Sequence, residues 1–429
     1  MSVALAGRRW VVVLMAGLPA LFPPVASPAE RPLAIRNARL LPVSGPPIPR
    51  GVIVVRGDRI DAVGAQAPIP DGAEVLEGEG LTVCPGFFDA FTAIGLVEIA
   101  QVPATNDLEE PADPITPQLR AADAYFLDSE VIPVVRAAGT TVLLSAPGPG
   151  NVISGQGALM RTAGETLEEA AVRPVAALHV NLGEPPKASH GGRGRSPMTR
   201  MGTAALVRQA FHQAQAYLAR PEPRPRDLKL EPLAEAIQGR LPVVARAERR
   251  SDILVALDLA REFGWRLILA GGSDAALLAE ELAEQGVPVL IAVDQQPDSL
   301  ETSGARYENA ARLRRAGVKV AFQSNEVTLA RNLVPNVGLA VAHGLPEAEA
   351  LRALTLSPAE IFGVADRLGS LEAGKEATFV LTRGDPLQVR SRVVGVVIRG
   401  RRFAPRSYQT DLCERYIAPR KAGIPCQAR

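Results

Sequence analysis

Arg246 and Glu248 stand two residues apart in Val243-Val244-Ala245-Arg246-Ala247-Glu248, an apolar run of strand character. Alternate strand residues face the same side, so this spacing points a guanidinium and a carboxylate in one direction. Buried together, they would pair. Asp89 and Glu184 add carboxylates near two other apolar runs. Carboxyls near a guanidinium can divide acid and base roles without a metal, because burial separates their pKa values. The chain has four histidines. His179 lies in an apolar strand and is expected to be a packed, hydrogen-bonded core residue. His190 falls in a Gly-rich loop, and His212 and His343 fall on helical patterns. One loop histidine makes a poor zinc site. The Gly148 to Gly157 segment lacks the Lys-Ser/Thr ending of a phosphate-binding P-loop, so it is expected to be a tight connection over the site.

The elements that must position these groups follow from periodicity. Apolar β-like runs at 140–146, 175–182, 242–247, 266–270, 287–292 and 318–322 alternate with amphipathic patterns such as 251–263 and 275–285. Nearly continuous apolar strands with intervening helices imply a parallel sheet covered by helices. At this length a (β/α)₈ barrel of the TIM type is expected over 85–370. Strand-turn-strand patterns at 30–84 and again at 371–410 predict a small β-sandwich assembled from both chain ends. The fold class is therefore α/β with a composite β domain. Segments 183–198 and 219–226 are expected to be exposed loops.

Several stretches resemble the amidohydrolase superfamily, specifically its imidazolonepropionase-like exported members. Val83-Cys84-Pro85-Gly86-Phe87-Phe88-Asp89-Ala90-Phe91-Thr92-Ala93 resembles the first barrel strand, where a Pro-Gly-x-x-Asp-x-His-x-His run supplies two metal ligands. Phe91 and Ala93 stand at the histidine positions. The run from Gly344-Leu345-Pro346 through Ser357-Pro358-Ala359, Arg367-Leu368-Gly369 and Gly374-Lys375 to Gly384-Asp385-Pro386 resembles the segment returning from the last barrel helix to the sandwich. The resemblance further places Glu184 and Lys187 in a retained Gly-Glu-x-Pro-Lys run. It puts Arg246 and Glu248 at a His-Ala-His-Arg segment, Gly271 at a histidine position, and Asn325 at the proton-handling aspartate. It implies ligand contacts for Lys187, Arg200 and Gln156. Relatives of this kind hydrolyse C–N bonds with zinc or another divalent metal that lowers the pKa of a bound water. Here the ligand positions carry residues that cannot hold one, and asparagine is no general base at neutral pH.

Residues 1–29 are expected to be a secretory signal, with Arg8 and Arg9 ahead of an apolar stretch and Ser27-Pro28-Ala29 as the cleavage region. Their removal takes the formal charge from +1 to −1, which suggests neither a nucleic-acid nor an anionic-membrane surface, and no stable membrane anchor is expected because the apolar stretch is too short and Pro-broken to span and no cysteine lies near the cleavage region. Secretion or periplasmic export permits disulfides. Cys413 and Cys426 are expected to staple the tail 411–429, leaving Cys84 as a buried thiol. These readings combine into an exported amidohydrolase-family protein without metal-dependent catalysis and without a cofactor. It would act as a pseudoenzyme or as one subunit of a homo- or heterodimer with a competent homologue. The alternative is a C–N hydrolase with a rebuilt, metal-free site among Glu184, Glu248, Arg246, Asp89 and Asn325. A third reading is a binding protein that uses the barrel mouth for a small ligand.

Overall fold

The computed structural model describes residues 31–416, apart from 223, 294–298 and 326. The expected signal segment, Cys426 and Glu326 lie outside the described residues.

Five strands open the chain: β1 (Leu33–Leu40), β2 (Ile48–Arg56), β3 (Arg59–Gly64), β4 (Glu74–Glu77) and β5 (Leu81–Pro85). Eight follow: β6 (Phe87–Thr92), β7 (Thr140–Ser145), β8 (Ile153–Arg161), β9 (Ala171–Asn181), β10 (Val243–Ala247), β11 (Leu267–Gly271), β12 (Val289–Ile291) and β13 (Val320–Phe322). Three close the chain: β14 (Phe379–Arg383), β15 (Arg392–Ile398) and β16 (Arg401–Phe403).

The outer strands form one continuous sheet in the order β16-β15-β14-β5-β1-β2-β3, with β4 also paired to β1. The two chain ends meet where β5 and β14 run antiparallel, from Leu81↔Arg383 to Pro85↔Phe379. Their apolar faces share one core, in which Ile35, Ile53 and Val83 pack with Leu371, Phe379 and Val397. A buried ion pair ties this domain to the barrel. Arg161 on β8 donates to both carboxylate oxygens of Glu376, at 3.0 and 2.5 Å.

The middle strands form the barrel sheet in sequence order, β6 to β13. Its ends meet where the Asn325 N–H, just past β13, donates to Phe91 O on β6 at 3.0 Å. The barrel departs from a regular (β/α)₈ pattern at β8, which is antiparallel to both neighbours. This corrects the loop expected over Gly155 and Gly157. Their glycines serve close approach instead of a turn. A Cβ at Gly155 would lie 2.6 Å from Leu119 O, and one at Gly157 would lie 2.4 Å from His179 Nε2. The remaining strands are parallel. Helices between them cover the sheet as their amphipathic patterns require. The helix Arg250–Phe263 buries Ile253, Ala256, Leu257 and Phe263 on one face. It stops at Gly264, whose φ of +71° is the left-handed conformation glycine adopts most readily.

The barrel interior is apolar. Phe88, Val142, Leu144, Ala177, Val244, Ile268, Leu290 and Ala321 fill it from successive strands, and Phe362 stacks on Phe88. Among the described residues, no helix is long and apolar enough to cross a membrane. Cys84 is buried within β5 as a free thiol, and Cys413 lies on the helix Tyr408–Tyr416.

Candidate functional site

Strand alternation carries the inward row of β10 from Val244 to Arg246 and on to Glu248. Arg246 reaches Asn325 just past β13, its Nη1 donating to Asn325 Oδ1 at 2.9 Å. Its Nη2 lies 3.6 Å from Glu248 Oε1. The expected Arg–Glu pair therefore exists, with Asn325 as its third member. Asn325 takes a φ of +51°, a conformation that asparagine tolerates better than most residues. Glu248 is held on the other side by Ser273, whose N–H and hydroxyl donate to Oε2 at 3.1 and 2.7 Å.

Glu248 also explains Gly271. A Cβ at residue 271 would lie 2.2 Å from Glu248 Oε1, and Gly271 has a φ of +83°. The carboxylate thus occupies the space that a histidine at 271 would enter. Asp89 is buried on β6, and its Oδ1 accepts the Ser324 N–H at 2.8 Å. It helps join β13 to β6 across the barrel seam.

A second charged group lies beyond β9. Glu184 opens the helix Glu184–Gly191, and its carboxylate accepts from Lys187 Nζ at 2.8 Å. Arg200, at the start of the helix Arg200–Leu218, donates to Asp252 at 3.2 Å and Glu301 at 2.7 Å, and lies 3.7 Å from Glu184. Burial works against its charge, but the hydrogen bond to Asp252 and the charges of Asp252, Glu301 and Glu184 outweigh it, so its pKa is raised. A guanidinium thus occupies the centre of three carboxylates. Sequence reading missed Glu301, which only the tertiary fold brings here, and gave Asp252 no role beyond its place in the amphipathic pattern 251–263. Gln156 is committed elsewhere: its Nε2 donates to Pro117 O at 2.8 Å and pins the segment beside β8.

Two of the histidines are buried and two are exposed. His179 meets the Phe91 ring edge-on at 5.4 Å. Burial pushes its pKa down to about 3. Contrary to expectation, its Nε2 has no hydrogen-bond partner among the described residues. His190 is not in a loop but in the last turn of the helix Glu184–Gly191, fully buried, with Nε2 2.8 Å from Asn151 Oδ1. Burial, then the charges of Arg193 and Arg195, lower its pKa. His212 is exposed beside Glu262, and His343 closes the helix Leu333–Ala342 with Nδ1 2.8 Å from Leu339 O.

These residues do not fit a divalent metal. Phe91, Ala93 and Gly271 offer no ligating side chain, Arg246 is a cation, and Ser273 and Arg246 engage Glu248. Among the described residues, no group of three or more His, Cys, Asp or Glu side chains is arranged to hold one.

Comparison with known proteins follows the architecture. Residues 236–403 match the amidohydrolase family. The crystal structure of an amidohydrolase from Thermotoga maritima MSB8 superposes with a TM-score of 0.83 at 32% identity, over 87% of this chain and 100% of that one. A prolidase complexed with N-methylphosphonate-L-proline shares the fold, with a TM-score of 0.57 at 19% identity over 87% of this chain and 99% of the other. The amidohydrolase tasK of Hapsidospora irregularis is 27% identical over 384 residues, 81% of this chain. This chain spans 39% of the length of that curated relative.

Proposed function

The chain belongs to the amidohydrolase family, and on that premise we propose that it has lost metal-dependent hydrolysis and acts as an exported, non-catalytic partner of a competent homologue. One observation carries this reading. The Arg246 guanidinium bridges toward Asn325 and Glu248, at three positions where the family resemblance puts metal or proton chemistry. A fixed positive charge there opposes a divalent cation by Coulomb repulsion, which is strong at short range in a poorly solvated barrel end. The carboxylate at 248 is held by Ser273, and its other oxygen fills the space over Gly271. Export rests on residues 1–29, and partnership on the tendency of such proteins to form dimers.

Two measurements test the proposal. Metal analysis of protein purified from its native source should find no stoichiometric zinc, manganese or iron. Co-purification read by mass spectrometry should recover an amidohydrolase homologue. One equivalent of a transition metal, or metal-dependent hydrolysis of an amide, dipeptide or cyclic amide, overturns the loss of catalysis. Recovery of this chain alone removes partnership with a homologue.

A further inference from the structure

A cavity of about 380 Å³ lies beside the helix Val131–Ala137, with an apolar wall of Leu127, Ile132, Pro133, Ala163 and Ala170. Two guanidiniums, Arg136 and Arg161, also line it. Arg161 is fully engaged, bonding the Glu376 carboxylate and the carbonyls of Glu169 and Ala171. Arg136 is engaged far less. Its Nη1 donates to Thr162 O, while its Nε and Nη2 have no partner among the described residues. Its guanidinium carbon lies 4.6 Å from the centre of the Phe403 ring on β16, a cation–π contact that uses no N–H donor. Burial works against the Arg136 charge, the nearby Arg401 adds to this, and no carboxylate offsets either, so its pKa is lowered. Asp128 and Glu130 line the same cavity but are exposed, and neither pairs with Arg136. Tyr125 is also in the wall, its hydroxyl buried without a hydrogen-bond partner among the described residues.

Withdrawing a charge from water costs free energy unless an opposite charge meets it. The Nε–Nη2 edge of a guanidinium offers two parallel N–H donors, which a carboxylate accepts as a pair. The apolar wall beside it suits a hydrocarbon body, and the volume falls within the roughly 300–1,000 Å³ of small-molecule sites. We propose that this cavity binds a small organic carboxylate, its oxygens accepting from Arg136 Nε and Nη2 and its apolar body packing on Ile132 and Pro133. The Tyr125 hydroxyl is a further donor for a ligand long enough to reach it. The Arg136 end of the cavity sits where the barrel meets the outer sheet, since Arg136 belongs to a barrel helix and Phe403 to β16. Thr162, which holds Arg136, bonds Thr141 O near the start of β7. Arg246 and Glu248 lie at the other ends of the parallel strands, so this site is separate from the barrel mouth.

Isothermal titration calorimetry on the full chain in chloride buffer tests the site. Sodium benzoate or sodium hexanoate should give a saturable isotherm, and benzamide, which keeps the ring but carries no charge, should not. Arg136→Gln should weaken carboxylate binding roughly tenfold or more, the cost of losing charge-assisted hydrogen bonds. Arg136→Lys should also weaken it, because an ammonium keeps the charge and loses the paired donors. Ala163→Leu fills the cavity and leaves the guanidinium in place. It should abolish binding and serves as the second variant if Arg136→Gln does not fold, with circular dichroism reporting the fold. Tighter binding of benzoate than of hexanoate assigns an aromatic carboxylate, and the reverse assigns an aliphatic one. Equal binding of benzoate and benzamide overturns the site, as does carboxylate binding that survives both Arg136→Gln and Ala163→Leu. Absence of an isotherm with either carboxylate overturns it too. Inorganic phosphate that binds more tightly than both carboxylates overturns the ligand class.

Discussion

Glu248 and Gly271 exclude one another's side chains: a Cβ at 271 would fall 2.2 Å from Glu248 Oε1. Gly271→Ala should therefore destabilise the fold by about 1–3 kcal/mol, from overpacking and from its positive φ. Adding Glu248→Ala should remove the steric share, so the two changes should be non-additive. Urea unfolding of both single variants and the double variant measures the coupling. Additive costs would show that the clash relaxes without consequence.

The same exclusion bears on any attempt to rebuild a metal centre. Phe91→His, Ala93→His and Asn325→Asp together should still bind no stoichiometric zinc, because Arg246 keeps its charge beside the new ligands. Zinc uptake should require Arg246 and Glu248 to be replaced as well. Metal analysis after dialysis decides between the two.

Arg161 and Glu376 form the buried link between barrel and outer sheet, at 5% and 7% side-chain exposure. Glu376→Gln leaves an uncompensated guanidinium, which should cost about 3–5 kcal/mol. The double change Arg161→Met with Glu376→Leu should cost less than the single one, since neither charge is then stranded. Chemical denaturation of the two variants tests this ordering.

His179 should make the protein acid-sensitive. Burial lowers its folded pKa to about 3, against about 6.5 in an unfolded chain. Between those values the unfolded state binds a proton that the folded state refuses, so stability falls as pH drops below about 6.5. The slope approaches about 1.4 kcal/mol per pH unit for this one group. His179→Gln should flatten the dependence of the denaturation midpoint between pH 6.5 and 4. An unchanged slope would assign the acid sensitivity to other groups.

Cys84 and Cys413 should differ in reactivity. Cys84 is fully buried, and burial raises its thiol pKa, with the charge of Asp385 adding to the rise. An alkylating reagent should label it only after denaturation. We propose a Cys413–Cys426 bridge, and a non-reducing digest should yield the two tail peptides as one species that reduction separates.

Most of the fold was legible because the barrel strands are continuous apolar runs. The stretch around 243–247 appeared as a strand with Arg246 and Glu248 on one face, and that face meets Asn325. The antiparallel β8 was hidden because Gly155 and Gly157 read locally as loop residues. Their purpose is room for Leu119 and His179, neighbours that only the folded sheet supplies. His190 was misplaced for a similar reason. The glycines around it suggested a loop, whereas it is buried in a helix with Nε2 against Asn151, a residue of the turn between β7 and β8. Glu301 carried no local signal, since its partner Arg200 comes from a distant segment.

The pairing of β5 with β14 has a bearing on biosynthesis. The first of these strands ends at Pro85, and its antiparallel neighbour begins at Phe379. During translation the edge of β5 that will meet β14 therefore stays open while the whole barrel is made. Open strand edges invite pairing with other chains, and contacts this far apart in sequence form slowly. The nascent protein should thus depend on a holding chaperone until its last strands emerge, and C-terminal truncations should aggregate rather than leave a stable barrel.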